Sequence, residues 1–372
     1  MAENQPRTKH RVTCPASQLA SGVRSFIHDA RGAKPVDDEA RFHSLAREVF
    51  FAQFHSIPVY RRLCEARGVT PDGIATWQDI PAIPTSAFKE FELTCLAPGE
   101  RTAVFHSSGT TGGVPSRHFH GRDSLALYED SAWRWFEANV KPMKSHGLLV
   151  LTPPPEGAPQ SSLVHMFDTV RRKLDQSPAC FLGRSDSDGA WHLDTASVES
   201  SLEAASASQT PVLILGTAFS FVHLLDSLAA HDRRFALAPG SRVMETGGYK
   251  GRSRELPPGQ LHKLIARHLG VRGKDIIREY GMSELSSQAY DTPQAPGMFR
   301  FPPWARAIVI SPETGREVAD RETGLLRVVD LANVGSVMAI QTEDLAVRHG
   351  DGFELLGRAV RAESRGCSLM AA

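Results

Sequence analysis

The segment "PVLILGTAFSFVHLLDSLAAHDRRFALAPGSRVMETGG", residues 211–248, decides the fold. "PVLILGT" (211–217) reads as a buried strand, 218–231 as a helix and "SRVMET" (241–246) as a second strand, which ends on Gly247 and Gly248. A strand, a helix and a strand in so few residues predict a parallel pair joined by a crossover helix. The greasiest part, 211–225, is too short to span a bilayer and is interrupted by Gly216, Ser220 and His223.

The same alternation extends to both sides. Upstream, a strand near 102–106 enters a loop, "RHFH" (117–120) is its return strand, and "RDSLALYEDSAWRWFEAN" (122–139) is a helix with Trp133, Trp135 and Phe136 in the core. "GLLVLT" (147–152) is a strand stopped by Pro153, Pro154 and Pro155, with helices at 161–173 and 196–206. Downstream come a helix at 258–269 and a strand at 275–280. The expectation is a largely parallel α/β sheet covered on both faces. Before it, residues 1–14 read as disordered and helices fit 16–29 and 37–54, the latter with Phe42, Leu45, Val49 and Phe50 at helical spacing. Pro58 marks a break before a short helix toward Gly68, and 76–91 reads as an extended wrapping segment. After Gly297, "ARAIVIS", "GLLRVVDL", "VMAIQTED" and "LAVRH" read as short strands of a small antiparallel barrel or sandwich.

At 372 residues the chain is too long for one compact core, and its 42 basic and 42 acidic side chains cancel. Such balance gives no footprint for nucleic acid or anionic lipid, so the partner is a small molecule or another protein. The five cysteines (Cys14, Cys64, Cys95, Cys180, Cys367) form no CxxC pair, which argues against a zinc site or a disulfide framework and for reduced thiols. "MAENQPRTKHR" lacks the apolar core of a signal peptide. Together these predict a cytoplasmic protein with no membrane span.

Four short motifs stand where a ligand is most easily met. Ser107, Ser108, Gly109, Thr110, Thr111, Gly112 and Gly113 run unbroken, losing backbone entropy while burying almost no apolar surface. They make either an anion cradle of amides and hydroxyls or a plain surface loop; no Gly-Lys-Ser/Thr follows, so this is not a Walker loop. "METGGYKGRSREL" (244–256) sets paired glycines at a strand's end, as a flat ligand or an ordinary turn requires. "EYGMSELSS" (279–287) offers an aromatic, a glycine, a hydroxyl and a carboxylate, though Glu284 alone would be a solvated acid. "TEDLAVR" (342–348) puts Asp344 at a strand end, where a turn residue is the plain reading.

In that order "SSGTTGGVPS", "ETGGYKGR", "EYGMSE", "TEDLAVR" and "ELLGR" resemble the adenylate-forming superfamily of acyl-CoA synthetases, adenylation domains and luciferases. "ETGGYKGRSREL", "IPAIPTSAFK" and the terminal "RGCSL" are similar to its LuxE-type acyl-protein synthetases. The resemblance implies that family's large N-terminal domain, two α/β subdomains plus a small β-barrel. On that scheme residues 1–296 form the core, 297–356 the small β part, and 357–372 a hinge-like tail in place of a C-terminal domain. It also implies ATP-dependent activation of a carboxylate as an acyl adenylate, with Mg²⁺. Ser107 to Gly113 would then cradle the β- and γ-phosphates, and Gly247, Gly248 and Tyr249 would border the adenine beside Tyr280 and Gly281. Ser283 would touch the α-phosphate, Glu284 would hold Mg²⁺, Asp344 the ribose hydroxyls, and Arg358 the ribose–phosphate region. His165 would line the acyl pocket, although a satisfied core histidine fits equally.

Two departures bear on mechanism. Where the superfamily has lysine after the loop's proline, this chain has Ser116 and Arg117, and Arg117 is the substitute cation. The catalytic lysine of the usual C-terminal domain has no counterpart, which leaves Lys250, Lys89 or a partner protein to supply its charge. In the tail, the resemblance makes Cys367 the acyl acceptor, and Arg361 and Arg365 nearby favour its thiolate. From Arg358 to Cys367 the chain reaches roughly 30 Å at about 3.3 Å per residue. The expected activity is therefore transfer of an activated fatty acid, through Cys367, to a reductase-type or carrier protein. Delivery of an aromatic or small acid to CoA or a carrier is the first alternative, and a nucleotide-binding scaffold without catalysis the second. "RHFH" reads as strand decoration, since nothing nearby completes a metal site.

Overall fold

The structure is a computed structural model that describes residues 16–30, 35–107, 114–187, 189–247 and 256–359. The expectations for residues 1–14, Ser108 to Gly113, Gly248 to Lys250, Arg361, Arg365 and Cys367 lie outside the described residues.

Three helices open the fold: α1 (Ala16–Asp29), α2 (Pro35–Ser56) and α3 (Pro58–Ala66). Pro58 occupies the first turn of α3, where its missing N–H costs nothing, so it starts a helix as well as ending one. The segment expected to be merely extended holds a two-residue strand, β1 (Ile83–Pro84), and a one-turn helix, α4 (Ala87–Glu90). Then come the hairpin strands β2 (Ala103–His106) and β3 (Arg117–His120), α5 (Arg122–Val140), β4 (Gly147–Val150) and α6 (Ser162–Lys173). A small hairpin that the sequence pattern did not signal, β5 (Gly183–Ser185) and β6 (Trp191–Leu193), precedes α7 (Thr195–Ser208). β7 (Val212–Thr217), α8 (Ala218–Ala230), β8 (Arg242–Thr246), α9 (Pro258–Leu269) and β9 (Ile276–Tyr280) complete the alternating part.

Caps fix these boundaries. Ser161, Asp194 and Thr217 each accept an amide at the start of α6, α7 and α8, and Gly270 adopts φ 69° to end α9. All six residues of β7 are buried, as a central parallel strand covered on both faces must be. α7, α8 and α9 pack on one face of the sheet. α5 and α6 pack on the other.

The last strands are β10 (Ala289–Thr292), β11 (Ala295–Arg300), β12 (Ala305–Ile310), β13 (Thr323–Asp330), β14 (Ala339–His349) and β15 (Gly352–Arg358). Among the described residues eleven strands form one sheet, β12-β13-β14-β15-β11-β10-β9-β8-β7-β4 with β1 added beside β14, while β2–β3 and β5–β6 pair separately. β10 and β11 splice the antiparallel strands onto the parallel ones, so hydrogen bonds do not close them into a separate barrel. The boundary expected at 296/297 falls inside β11. Two strands expected at 337–344 and 345–349 are one, β14, in which the register with β15 shifts between Leu345 and Ala346. α1, α2 and α3 share a core with β12, β13 and β14 through residues such as Val23, Phe42, Phe50, Leu326, Val328 and Ile340. No helix among the described residues is long and apolar enough to cross a membrane.

Candidate active site

The Ser/Thr/Gly loop rises from a closed neck. The Ser107 amide donates to the Ser116 carbonyl at 3.3 Å, and the Ser116 amide to Ser107 Oγ at 3.0 Å. Below the neck, alternation along the strand puts Ser116, His118 and His120 inward, all buried. Arg117 faces the other way, held 3.7 Å from Glu92 and beside the Phe119 ring. The structure thus sets Arg117 on the opposite face of the hairpin from Ser283.

The inner face of the neck meets the turn after β9. Ser116 Oγ lies 3.5 Å from Ser283 Oγ, and His118 Nδ1 lies 2.8 Å from the Ser283 carbonyl oxygen. Burial pushes His118 down to about 4, against the opposing pull of the Ser283 bond, so its ring is neutral at pH 7. With a carbonyl as partner, Nδ1 must carry the proton. Ser283 Oγ donates to Glu284 Oε2 at 3.1 Å, which aligns hydroxyl and carboxylate within one turn.

A second set of bonds holds that turn from behind. Asn333 Nδ2 donates to the Glu284 carbonyl at 2.9 Å. Asp330 accepts the amides of Ser286, Ser287 and Ala332 at 2.9, 2.8 and 3.0 Å and the Ser287 hydroxyl at 2.7 Å. Burial lifts the Asp330 carboxyl to about 6, while these bonds pull it down.

The third element is the edge formed by β14 and β15. Tyr280, the last residue of β9, donates to Asp344 Oδ2 at 2.8 Å, and Phe299, Phe301 and Phe353 surround its ring. Asp344 stands opposite Arg358 in the ladder, with Arg358 Nε 3.7 Å from Oδ1. Burial raises the Asp344 carboxyl, and Tyr280 and Arg358 offset part of that rise. Gly247 follows β8 at φ +72°, a left-handed turn that glycine tolerates. One strand over, Thr246 donates to buried Glu279, and a Cβ at Gly281 would run into Glu279 Oε1.

Ser107, Ser283, Glu284, Tyr280, Gly281, Asp344 and Arg358 therefore belong to one connected junction. His165 stands apart, bonded to Glu129 at 2.9 Å and in ring contact with Phe105 and Tyr128. Lys89 is exposed on α4, next to Phe88, whose ring meets His118 edge-on at 6.1 Å. A cavity of about 650 Å³ opens elsewhere, between α1 and α2, and shares no residue with this junction. Sequence reading took His118 as strand decoration and passed over Asp330 and Asn333. For His118 the signal was present: Ser116, His118 and His120 recur with period two, the pattern of one strand face turned inward.

The sequence model of the family described as "Acyl-protein synthetase, LuxE" matches residues 20–372. The chain belongs to the LuxE acyl-protein synthetase family. Two relatives are named long-chain-fatty-acid–luciferin-component ligase. That of Vibrio harveyi is 22% identical over 344 residues, 87% of this chain and 85% of the relative. That of Aliivibrio fischeri is 24% identical over 344 residues, 87% and 86% of the two chains. This LuxE-family chain is thus an enzyme related to ligases. Its fold is that of 2-hydroxyisobutyryl-CoA ligase in complex with 2-HIB-AMP, at TM-score 0.65 and 14% identity over 86% of this chain and 67% of that one. The same ligase with 2-HIB-AMP and CoA aligns at TM-score 0.64 and 14% identity over 96% and 72%.

Proposed function

We propose that this LuxE-family enzyme works in the cytoplasm, activates a long-chain fatty acid with MgATP and passes the acyl group, through Cys367, to an acceptor protein. One observation carries the reading: the neck of the Ser/Thr/Gly loop, the Ser283–Glu284 turn and the Tyr280–Asp344–Arg358 edge form a single connected site.

A carboxylate oxygen of the acid attacks the α-phosphorus of ATP, the bond to pyrophosphate breaks, and an acyl adenylate results. The protein's part is to hold the nucleophile in line and offset charge on the phosphates. The amides of 108–113 and the Ser283 hydroxyl serve the phosphates, Gly247 to Tyr249 and Gly281 border the base, and Asp344 and Arg358 hold the ribose. Glu284 suits Mg²⁺ because it is a single buried carboxylate beside the Ser283 hydroxyl. A single carboxylate is what Mg²⁺ uses when substrate phosphates complete its shell. Bound there, the ion would neutralise phosphate charge.

In the second step the Cys367 thiolate attacks the acyl carbonyl carbon, the bond to AMP breaks and AMP leaves with its electron pair. Cys64 and Cys180 are poor candidates for this role, since burial pushes both thiols up to about 11. Lys250, Lys89 or the acceptor protein supplies the remaining positive charge.

Hydroxylamine trapping across fatty, aromatic and short acids tests the reading. Long-chain fatty acids should yield hydroxamate with ATP, and Glu284→Ala should lower the yield by about a hundredfold or more. Tight ATP binding with no hydroxamate from any acid would leave a scaffold instead. Thioester formed on free CoA without Cys367 would favour a CoA ligase.

A further inference from the structure

Thr246, Glu279 and Tyr290 stand side by side on three adjacent strands. Thr246 pairs with Glu279 across β8 and β9, and Glu279 with Tyr290 across β9 and β10. Alternation puts Thr246 on the face of Met244 and Glu279 on that of Ile277, the face packed against α5 and α6. Thr246 ends β8 and Glu279 is the penultimate residue of β9, so the row lies at the carboxyl ends of parallel strands, where open α/β sheets take their ligands.

This row is polar in an apolar layer; Thr246 donates to Glu279, and only Tyr290 is left over. Tyr290 is fully buried, yet its phenolic oxygen has no hydrogen-bond partner. His120 is also buried; its ring approaches the Ser124 main chain but neither nitrogen closes a hydrogen bond. Tyr128 stands beside His120, its ring 5.8 Å away and its hydroxyl already given to the Ser162 carbonyl at 2.9 Å. Burial, then the charge of Glu279, raises the phenols of both Tyr128 and Tyr290, which puts all three in one neighbourhood. An unmade bond at a buried polar group costs about 1–3 kcal/mol, and several together call for a ligand.

The groups specify its chemistry. An anion is repelled by Glu279 once it is ionised, and a cation meets a tyrosine hydroxyl, while the nearby Glu245 is already paired with Arg278. A hydroxyl fits, because it both donates and accepts, as Tyr290 and Glu279 require. Burial lifts Glu279 to about 7, so its carboxyl serves in either role.

We propose that the acid activated here carries a hydroxyl on its chain, recognised by Glu279 and Tyr290. This rests on the adenylation reading above and names the substrate class of that same site.

The test compares kcat/KM for hydroxamate formation with a saturated fatty acid and with its α- and β-hydroxylated forms of the same length. Wild-type enzyme should prefer one hydroxylated acid by about tenfold or more, since a site built for a hydroxyl rejects the analogue lacking it. Tyr290→Phe and Glu279→Gln, each nearly isosteric, should cut that preference to about threefold or less. Equal kcat/KM for the plain and hydroxylated acids in wild type, or a preference that survives both substitutions, overturns the proposal. Activation of plain fatty acids without a hydroxyl preference removes only this inference, whereas no hydroxamate from any acid removes the adenylation reading.

Discussion

Tyr280 donates to Asp344 Oδ2 across 2.8 Å, a bond that joins the last residue of β9 to the interior of β14. If Asp344 holds the ribose, that bond fixes the carboxylate's orientation. Tyr280→Phe should raise KM for ATP by about tenfold with little change in kcat, the sign of lost uniform binding. It should also move a pH limb. Burial already raises the Asp344 carboxyl, and the Tyr280 bond opposes that rise. Without the bond the carboxyl climbs further, so ATP affinity should begin to fall at a higher pH as acid is added. Superimposable pH profiles of kcat/KM for ATP would refute the coupling.

His118 offers a cleaner separation of geometry from packing. An asparagine amide can stand where Nδ1–H stands, whereas glutamine reaches toward the Nε2 position. His118→Asn should keep most adenylation activity; His118→Gln should lose about tenfold or more, through misplacement of Ser283. The pH dependence follows from burial, which takes the ring from 6.5 down to about 4. A depressed histidine stabilises the fold above its unfolded value and loses that contribution as pH falls from 6.5 through about 4. The loss is about 3 kcal/mol, which His118→Asn does not suffer. Urea denaturation at several pH values should show the gap between wild type and His118→Asn shrinking toward acid.

Much of this was legible because it depends on short-range chemistry. Strand–helix alternation and the proline stops are local, and the elements from α5 to β9 lie where they were expected, the β5–β6 hairpin apart. What was not legible depends on partners distant in sequence. Ser116 and Ser283 are 167 residues apart, and Gln53, which donates to the Asn333 carbonyl at 2.9 Å, is 280 residues from it. The splice through β10 and β11 was missed because the texture changes after Gly297, where a domain boundary was expected, although a hairpin uses the "TPQAPG" residues (292–297). Arg117 shows the opposite limit: its residue type suited a phosphate, and only the hairpin's facing turned it toward Glu92.

Asp330 binds four donors around the Glu284 turn, so its replacement should loosen the site from behind. Asp330→Asn turns an NH₂ group toward amides that already donate. The expected cost is about 2–4 kcal/mol, with a parallel loss of adenylation. Asp330→Ala should cost no less. A thermal melt paired with the hydroxamate assay decides it: unchanged melting in both variants would show that the four bonds contribute nothing net.

Glu279 titrates in the opposite sense to His118. Burial raises its carboxyl from 4.5 to about 7, so its favourable contribution is complete below 4.5 and is lost as pH rises through about 7. Glutamine carries no such loss. Between those values the stability of Glu279→Gln relative to wild type should therefore rise by about 3 kcal/mol. A pH-independent difference in urea midpoint between the two proteins would contradict a buried, neutral-favouring carboxyl.

Cys367 divides the proposed reaction in two. In the proposed scheme adenylation does not call on Cys367, whereas covalent acylation needs its thiolate. Cys367→Ser should therefore keep hydroxamate formation within about twofold of wild type and lose stable acyl labelling from radiolabelled fatty acid and ATP. The serine alcohol is a far weaker nucleophile at neutral pH than a thiolate, and an oxygen ester, unlike a thioester, resists mild neutral hydroxylamine. Hydroxylamine-labile label that persists undiminished in Cys367→Ser would place the acyl group on another residue. Label and hydroxamate lost together would make the tail part of the adenylation machinery instead.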